Sequence, residues 1–252
     1  MAVYRLADLT VQVDGASEYT GRAMSRYQAD AAAAGKPDIF VSVTPEVVER
    51  ERRLEGDEFS REYLECMSVY REFCEQALFY DVLFFHASAV ALDGNAYLFT
   101  GPSGIGKSTH ARMWRKAFGK SVLMINDDKP LLRFRPDGVY AYGTPWDGKH
   151  HLNTDIRLKV KGVCILEQAS WNEIRRVSFP EAHDMILSQA FHTENWDHRQ
   201  AVKKMINLLL NRVPVYRLKC TASTQAACLA RQVMEQGDGR AWKWRRRFRA
   251  RA

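Results

Sequence analysis

A run of nine residues constrains this chain more than any other. Gly101-Pro102-Ser103-Gly104-Ile105-Gly106-Lys107-Ser108-Thr109 fits the pattern G-x-x-x-x-G-K-[ST] at every fixed position. It follows a β-rich segment, Ala96 to Thr100, and opens a helical stretch that runs to Phe118 and stops at Gly119. Glycines let backbone N–H groups curl around a phosphate, the helix N-terminus adds its dipole, and Lys107 neutralises the β/γ oxygens. The Ser108 hydroxyl can serve a magnesium ion. The pattern therefore predicts a nucleotide-phosphate site. Gly101, Ser103, Gly104, Ile105, Gly106, Lys107, Ser108 and Thr109 are the expected phosphate-holding residues, with ATP as ligand and Mg²⁺ as cofactor.

The flanking segments extend the site. Val82 to Leu92 is rich in β-formers, Asp93-Gly94 is a tight-turn pair, and Ala96 to Thr100 returns, so a hairpin is predicted to lead into the loop. His86 falls on its first strand, where alternation sets it with Ser88 and opposite Phe85, Ala87 and Ala89. After the helix, Ser121 to Ile125 is a short apolar strand ending at Asn126-Asp127-Asp128. Carboxylates there can ligate Mg²⁺ or accept a proton from an attacking hydroxyl. Because adjacent side chains on an extended chain point to opposite sides, Asp127 and Asp128 are expected to have different roles. We read Asp127 as the proton acceptor and Asp128, with Ser108, as the metal side. Further on, Tyr142-Gly143-Thr144-Pro145-Trp146-Asp147-Gly148-Lys149 forms a loop. Its glycines permit close backbone approach, Trp146 is a candidate to cover a base or substrate, and Lys149 a candidate to reach a phosphate. Glu167 at a strand end is a weaker metal candidate. His150-His151, His192 and His198 lack carboxylate or cysteine partners at zinc-like spacing.

Charge looks at first like a nucleic-acid signal, since the 252 residues carry a formal charge of +7. Seven of the cations, Arg240, Lys243, Arg245, Arg246, Arg247, Arg249 and Arg251, follow Gly239 with no acidic residue among them. Without them the chain has 30 basic and 30 acidic residues. The basicity is thus a tail rather than a face, and no specific nucleic-acid partner is predicted. At 46% hydrophobic and 27% charged the composition is that of an ordinary globular protein. No apolar run reaches the roughly 18 residues that a membrane span needs. The N-terminus lacks a signal-peptide apolar region, and five cysteines form no C-x-x-C pair, so a reducing, cytoplasmic address is expected.

The remaining segments mix strands and helices. Leu9 to Val13 and Ile39 to Val43 suggest strands, Thr44-Pro45-Glu46 opens a helix, and Glu58 to Tyr80 has helical spacing. Pro136-Asp137-Gly138 turns a second hairpin, Val160 to Leu166 and Val213 to Leu218 are strands, and Ser178 to Glu181 has the form of a capping box. Arg199 to Asn211 is helical, and Ser223 caps a last helix. Strands and helices in this order, with hairpins in the middle, predict an α/β domain whose sheet is not purely parallel.

His86-Ala87, the loop Gly101 to Thr109 and Asn126-Asp127-Asp128 together resemble the catalytic domain of HPr kinase/phosphorylase-like proteins, grouped with phosphoenolpyruvate carboxykinase in one P-loop superfamily. The resemblance covers Leu83 to Asp128 and extends, with fewer matching residues, to about Gln236. It implies an α/β fold: a mixed-sheet P-loop kinase core of the HPr kinase type over 81–238. A small N-terminal accessory α+β layer over 1–80 and a basic tail over 239–252 complete the expected organisation. It also implies that His86 and Asp127, with Asp128 beside them, flank a transferred phosphoryl group. Residues 1–80 do not resemble the bifunctional enzyme's usual N-terminal domain, and its downstream Arg-Gly-rich signature is replaced by the Tyr142–Lys149 loop. The implied activity is an ATP-dependent kinase acting on a serine-type hydroxyl of a peptide, small protein or small molecule, and compatible with a homo-oligomer. The alternative is a non-catalytic nucleotide-binding accessory protein that docks a partner.

Overall fold

The computed structural model describes residues 1–30 and 35–237, together with the backbone of Trp242 and Lys243. The N-terminal layer starts with β1 (Ala2–Leu6) and β2 (Leu9–Asp14), an antiparallel pair; β2 also runs parallel to β3 (Ile39–Ser42). Between them lies α1 (Glu18–Met24), and after them α2 (Pro45–Glu55) and α3 (Arg61–Ala77). Thr44 caps α2 by accepting from Val47 N at 3.4 Å, and Ser60 caps α3 by accepting from Tyr63 N at 3.2 Å. Leu64, Met67, Tyr70, Phe73 and Ala77 recur at helical spacing and put the apolar face of α3 into the core. Arg71 of α3 grips the fully buried Glu51 of α2 through two bonds of 2.6 and 2.9 Å.

The larger sheet is mixed. Its strands are β4 (Val82–Phe84), β5 (Ala87–Leu92), β6 (Asn95–Thr100), β7 (Leu123–Asn126), β8 (Leu131–Arg135), β9 (Gly138–Tyr142), β10 (Arg157–Gln168), β11 (Glu173–Arg176), β12 (Val215–Cys220) and β13 (Trp242–Lys243). The main path runs β13-β11-β12-β10-β6-β5-β7, and β4, β8 and β9 branch from β10 so that the sheet curls. β10 is parallel to β6 and β12, whereas β5 is antiparallel to both its neighbours. The helices α4 (Lys107–Phe118) and α7 (Thr224–Gln236) cover one face through Tyr97, Phe99, Trp114, Leu166 and Ala230. On the other face Leu83, Ala89, Leu98, Ile125 and Val163 join one cluster with Leu6, Val11, Val69 and Phe73 of the N-terminal layer. Residues 1–80 therefore pack as a layer whose core is continuous with that of the sheet. The helices α5 (Phe179–Leu187) and α6 (Trp196–Arg212) contribute Ile186, Met205 and Leu209 to that same cluster. Asp8 at the β1–β2 turn adds a polar tie, accepting from Tyr142 Oη at 2.6 Å and Arg157 at 3.0 Å.

Three expectations change. The segment Val82 to Leu92 is two strands, not one. At the break Phe85 N donates to Pro130 O at 3.2 Å and His86 N to Gln189 O at 2.8 Å, so the chain turns from β8 toward β6 and β7. His86 accordingly sits at a corner rather than on a strand. Next, β1 and β11 were not foreseen; β11 is short and carries Glu173, Arg175 and Arg176 around a single buried Ile174. Finally, the basic tail lies outside the described residues except for Trp242 and Lys243, whose backbone pairs with β11. Among the described residues no helix is long and apolar enough to cross a membrane, and the cysteines are free.

Gly143 shows how tightly the loop after β9 is built. A Cβ there would lie 1.9 Å from Thr154 O and 2.9 Å from Ile125 O, both backbone atoms that cannot swing away. We expect Gly143→Ala to lower unfolding free energy by about 1–3 kcal/mol, the usual range for forced overpacking. Urea denaturation monitored by tryptophan fluorescence checks this; an unchanged midpoint would contradict the packing described.

Candidate functional site

Residues 101–106 connect the C-terminal end of β6 to the N-terminus of α4. Gly104 and Gly106 adopt φ of 78° and 107°, in the left-handed region that a side chain resists. The turn they allow aims the first N–H groups of α4, which have no partner within the helix, into the loop. Lys107 is nearly buried and folds back, with Nζ donating to Gly101 O at 3.1 Å and Pro102 O at 3.4 Å. Burial lowers its pKa, and the nearby Asp128 carboxylate opposes that shift. Ser103, Gly104 and Ser108 are exposed.

Asn126 arranges the next layer. Fully buried at the end of β7, it accepts on Oδ1 from Asp128 N at 2.8 Å and Lys129 N at 2.6 Å. Its Nδ2 donates to Thr144 Oγ1 at 2.9 Å and to Trp146 O at 3.1 Å. One amide thus fixes the turn bearing both aspartates and ties it to the loop after β9. The turn sends the aspartates to different surroundings. Asp127, 3% exposed, accepts from Gly148 N at 2.6 Å and lines a cleft of about 230 Å³ with Ser108, Thr109, Arg112, Arg115 and His150. Burial raises its pKa; the Gly148 N–H opposes the shift, and the Asp147 and Asp128 charges add to it. A Cβ on Gly148 would stand 3.1 Å from both carboxylate oxygens, so glycine there permits the close approach.

Asp128 turns the other way. His86 Nε2 meets its Oδ1 at 3.2 Å and Lys129 Nζ meets its Oδ2 at 2.6 Å. Burial alone would raise its pKa, but the hydrogen bond from His86 and the Lys129 charge outweigh it and hold the carboxyl well below the usual range. Asp128 was expected on the metal side with Ser108. Both its oxygens are already engaged by basic partners, and Asp127 is the carboxylate that shares a cleft with Ser108. His86 was expected to flank the site with Asp127, and it is Asp128 that it contacts. Lys129, directly after the motif, was not singled out; nor were Arg112 and Arg115, whose approach to Asp127 depends on the phase of α4.

The loop after β9 also departs from expectation. Trp146 is held mostly in the core: 4% exposed, it packs against Tyr70 and Phe73 of α3 and donates through Nε1 to Cys66 O at 3.3 Å, with an edge left in the wall of the larger cleft beyond Lys129. Lys149 is exposed in the turn after Gly148. Glu167 is engaged by Arg217 at 3.0 Å. His151 Nδ1 lies 3.0 Å from Asp147. A larger cleft, of about 660 Å³, opens beyond Lys129 between α1, α3 and this loop, with Arg26, Tyr63 and Asn153 in its wall.

Comparison with protein families places the chain. The family described as SynChlorMet cassette protein ScmC matches residues 57–235, which include α3, the loop before α4, both aspartates and all but the last residue of α7. The chain belongs to that family. None of the curated proteins matches it. Among solved structures it is similar to the Hpr(Ser) kinase/phosphatase from Coxiella burnetii, at 12% identity and a TM-score of 0.34, over 61% of this chain and 89% of that one.

Removing the Asn126 amide should loosen both segments it joins. Asn126→Ala leaves the half-buried N–H groups of Asp128 and Lys129 without their acceptor and removes the donor to Thr144 and Trp146, at up to about 1–3 kcal/mol for each group left unsatisfied. We expect a drop of at least about 2 kcal/mol in chemical denaturation, with faster amide exchange at 127–129 and 144–148. Wild-type stability with unchanged exchange would contradict this account.

Proposed function

We propose that the chain is an ATP-dependent phosphotransferase that moves the γ-phosphoryl group to a hydroxyl on a peptide, small protein or small molecule, as HPr-kinase-like enzymes do. The observation that carries this reading is the placement of Asp127. A nearly buried carboxylate with raised proton affinity shares one cleft with Ser108, the residue directly after the loop lysine. A nucleotide sensor needs the loop, but it has no use for a buried proton acceptor beside it.

In this reading Gly101, Ser103, Gly104, Ile105, Gly106, Ser108 and Thr109 surround the phosphates and their backbone N–H groups hold the oxygens. Lys107 leaves the carbonyls of Gly101 and Pro102 and places its charge on the β/γ oxygens; Lys149 is a further cation at the rim. The acceptor oxygen attacks the γ-phosphorus as the bond to the β-phosphate's bridging oxygen breaks. ADP departs with that electron pair, and the acceptor proton passes to Asp127. A raised pKa improves Asp127 as a base, whereas Asp128, held ionised by His86 and Lys129, is a poor one. Asp128 and His86 act instead as a fixed pair that sets the charge beside Lys107.

The donor set fits magnesium, because an exposed hydroxyl and a carboxylate are hard oxygen ligands with no thiol or imidazole required. Ser108 would hold the ion, with Asp127 alongside. Bound there, Mg²⁺ supplies charge neutralisation to the phosphate oxygens.

Two measurements test the reading. Lys107→Ala should weaken ATP binding by about tenfold or more in calorimetric titration, a loss of about 1.4 kcal/mol, and should abolish turnover. Unchanged ATP affinity and turnover would contradict the phosphate assignment. The pH profile gives a second check. Asp127 must be ionised to accept a proton, so kcat/KM should fall as pH drops through its raised pKa. Because kcat/KM reports the enzyme before Mg²⁺ and nucleotide bind, its acidic limb should lie above the ordinary aspartate value and move or vanish in Asp127→Asn. An acidic limb unchanged in that variant would contradict the assignment.

A further inference from the structure

The outward stripe of α4 is cationic in a way that the nucleotide chemistry does not use. Ser108, Arg112, Arg115, Lys116 and Gly119 follow i, i+4, i+7, i+8, i+11 spacing, so they share one face of the helix. Arg112 and Arg115 line the cleft that holds Asp127 and Ser108. The same two arginines continue into an open groove with Lys116, Lys120, Val122 and Leu123. No ion-pair partner of Arg112, Arg115, Lys116 or Lys120 is found among the described residues, and Asp127 is the one carboxylate facing the cleft. Basic residues in a last helical turn complement the helix dipole, and that accounts in part for Arg115 and Lys116. It does not account for Arg112, a full turn earlier, or for the alignment of the stripe with the cleft.

We infer that this groove docks an acidic, extended peptide segment and delivers its hydroxyl to Asp127; the inference rests on the phosphotransferase reading and names its acceptor class. Unpaired guanidinium groups on one face suit carboxylates, which they bind through paired donors. The length of the groove favours a segment over a small molecule. From Ser108 to Gly119 the helix rises about 1.5 Å per residue, roughly 16 Å, which an extended peptide covers in about five residues. A compact hydroxy acid would occupy only the cleft of about 230 Å³ and leave the outer cations unused. A single-stranded nucleic acid would also match the charge, but such binders stack bases on aromatic side chains, and the groove lining has none.

The test is direct binding, read without turnover. A fluorescein-labelled peptide, Gly-Ser-Gly-Asp-Glu-Asp-Glu, and its Asn/Gln counterpart are titrated with the full chain by fluorescence anisotropy. The acidic peptide should bind at least tenfold tighter, and Arg112→Glu/Arg115→Glu should lose tenfold or more of that affinity. Arg112→Gln/Arg115→Gln, measured in parallel, keeps the test valid if charge reversal disturbs folding. Equal affinity for the two peptides, or unchanged affinity in both variants, would overturn the inference. So would tight binding of oligothymidylate with no peptide binding, or an equal loss of ATP affinity in the variants, which would assign the arginines to nucleotide. Absence of ATP binding by the wild-type protein would instead count against the phosphotransferase reading, and peptide binding would still be read separately.

Discussion

The buried amide of Asn126 bonds two pieces of chain at once, the turn after β7 and the loop after β9, and Thr144 Oγ1, donating to Lys129 O at 2.8 Å, ties the same two pieces. Its oxygen holds the backbone N–H groups of Asp128 and Lys129, and its nitrogen holds Thr144 and Trp146. With no solvent access, the amide has no alternative partners, and any shift of either segment would leave buried polar groups unmatched. That constraint brings Gly148 against Asp127 and favours glycine at a position where a Cβ would press on the carboxylate. It also anchors the loop to the N-terminal layer, since Trp146 lies among the aromatic rings of α3. The layer at 1–80 thereby bears on the geometry of residues it does not touch.

From this anchoring follows the separation of two neighbouring carboxylates. One is nearly buried, bonded to the Gly148 backbone N–H and shifted toward holding a proton. The other is gripped by an imidazole and an ammonium group and shifted toward losing one. Environments that push paired carboxyl pKa values apart are the usual means by which acid–base roles are divided. The same turn that separates them leaves Asp127 facing α4, so the loop before α4 and the cationic stripe along it meet at one carboxylate.

Much of this was legible locally. The strand–loop–helix unit around Gly101 to Ser108, the caps at Thr44 and Ser223, and the Pro136–Gly138 turn are each written in a few adjacent residues, and the structure forms them. Asp127 and Asp128 do diverge as expected, though through the turn after β7 rather than strand alternation. What was not legible depends on distant partners. The corner at His86 is made by the carbonyls of Pro130 and Gln189, more than 40 residues downstream. Its contact with Asp128 rather than Asp127 follows from that corner. The glycines and proline around Trp146 mark it as a candidate ligand cover, but the α3 rings that bury most of it come from more than 70 residues earlier. Arg112 and Arg115 were hidden among the polar residues of an ordinary amphipathic helix until the position of β7 fixed which face meets the aspartate.

The claim at the centre of this account is that Asp127 accepts the proton while the loop and Lys107 hold ATP. The most direct measurement is the single-turnover rate of γ-phosphoryl transfer in Asp127→Asn at saturating Mg²⁺, alongside ATP affinity in the same protein. With Asp127 as the base, the rate falls by about 10²–10⁴, the usual contribution of a general base, and ATP affinity stays within about twofold of wild type. A wild-type rate with wild-type Mg²⁺ dependence would contradict it and leave the chain as a binder of nucleotide without the chemistry.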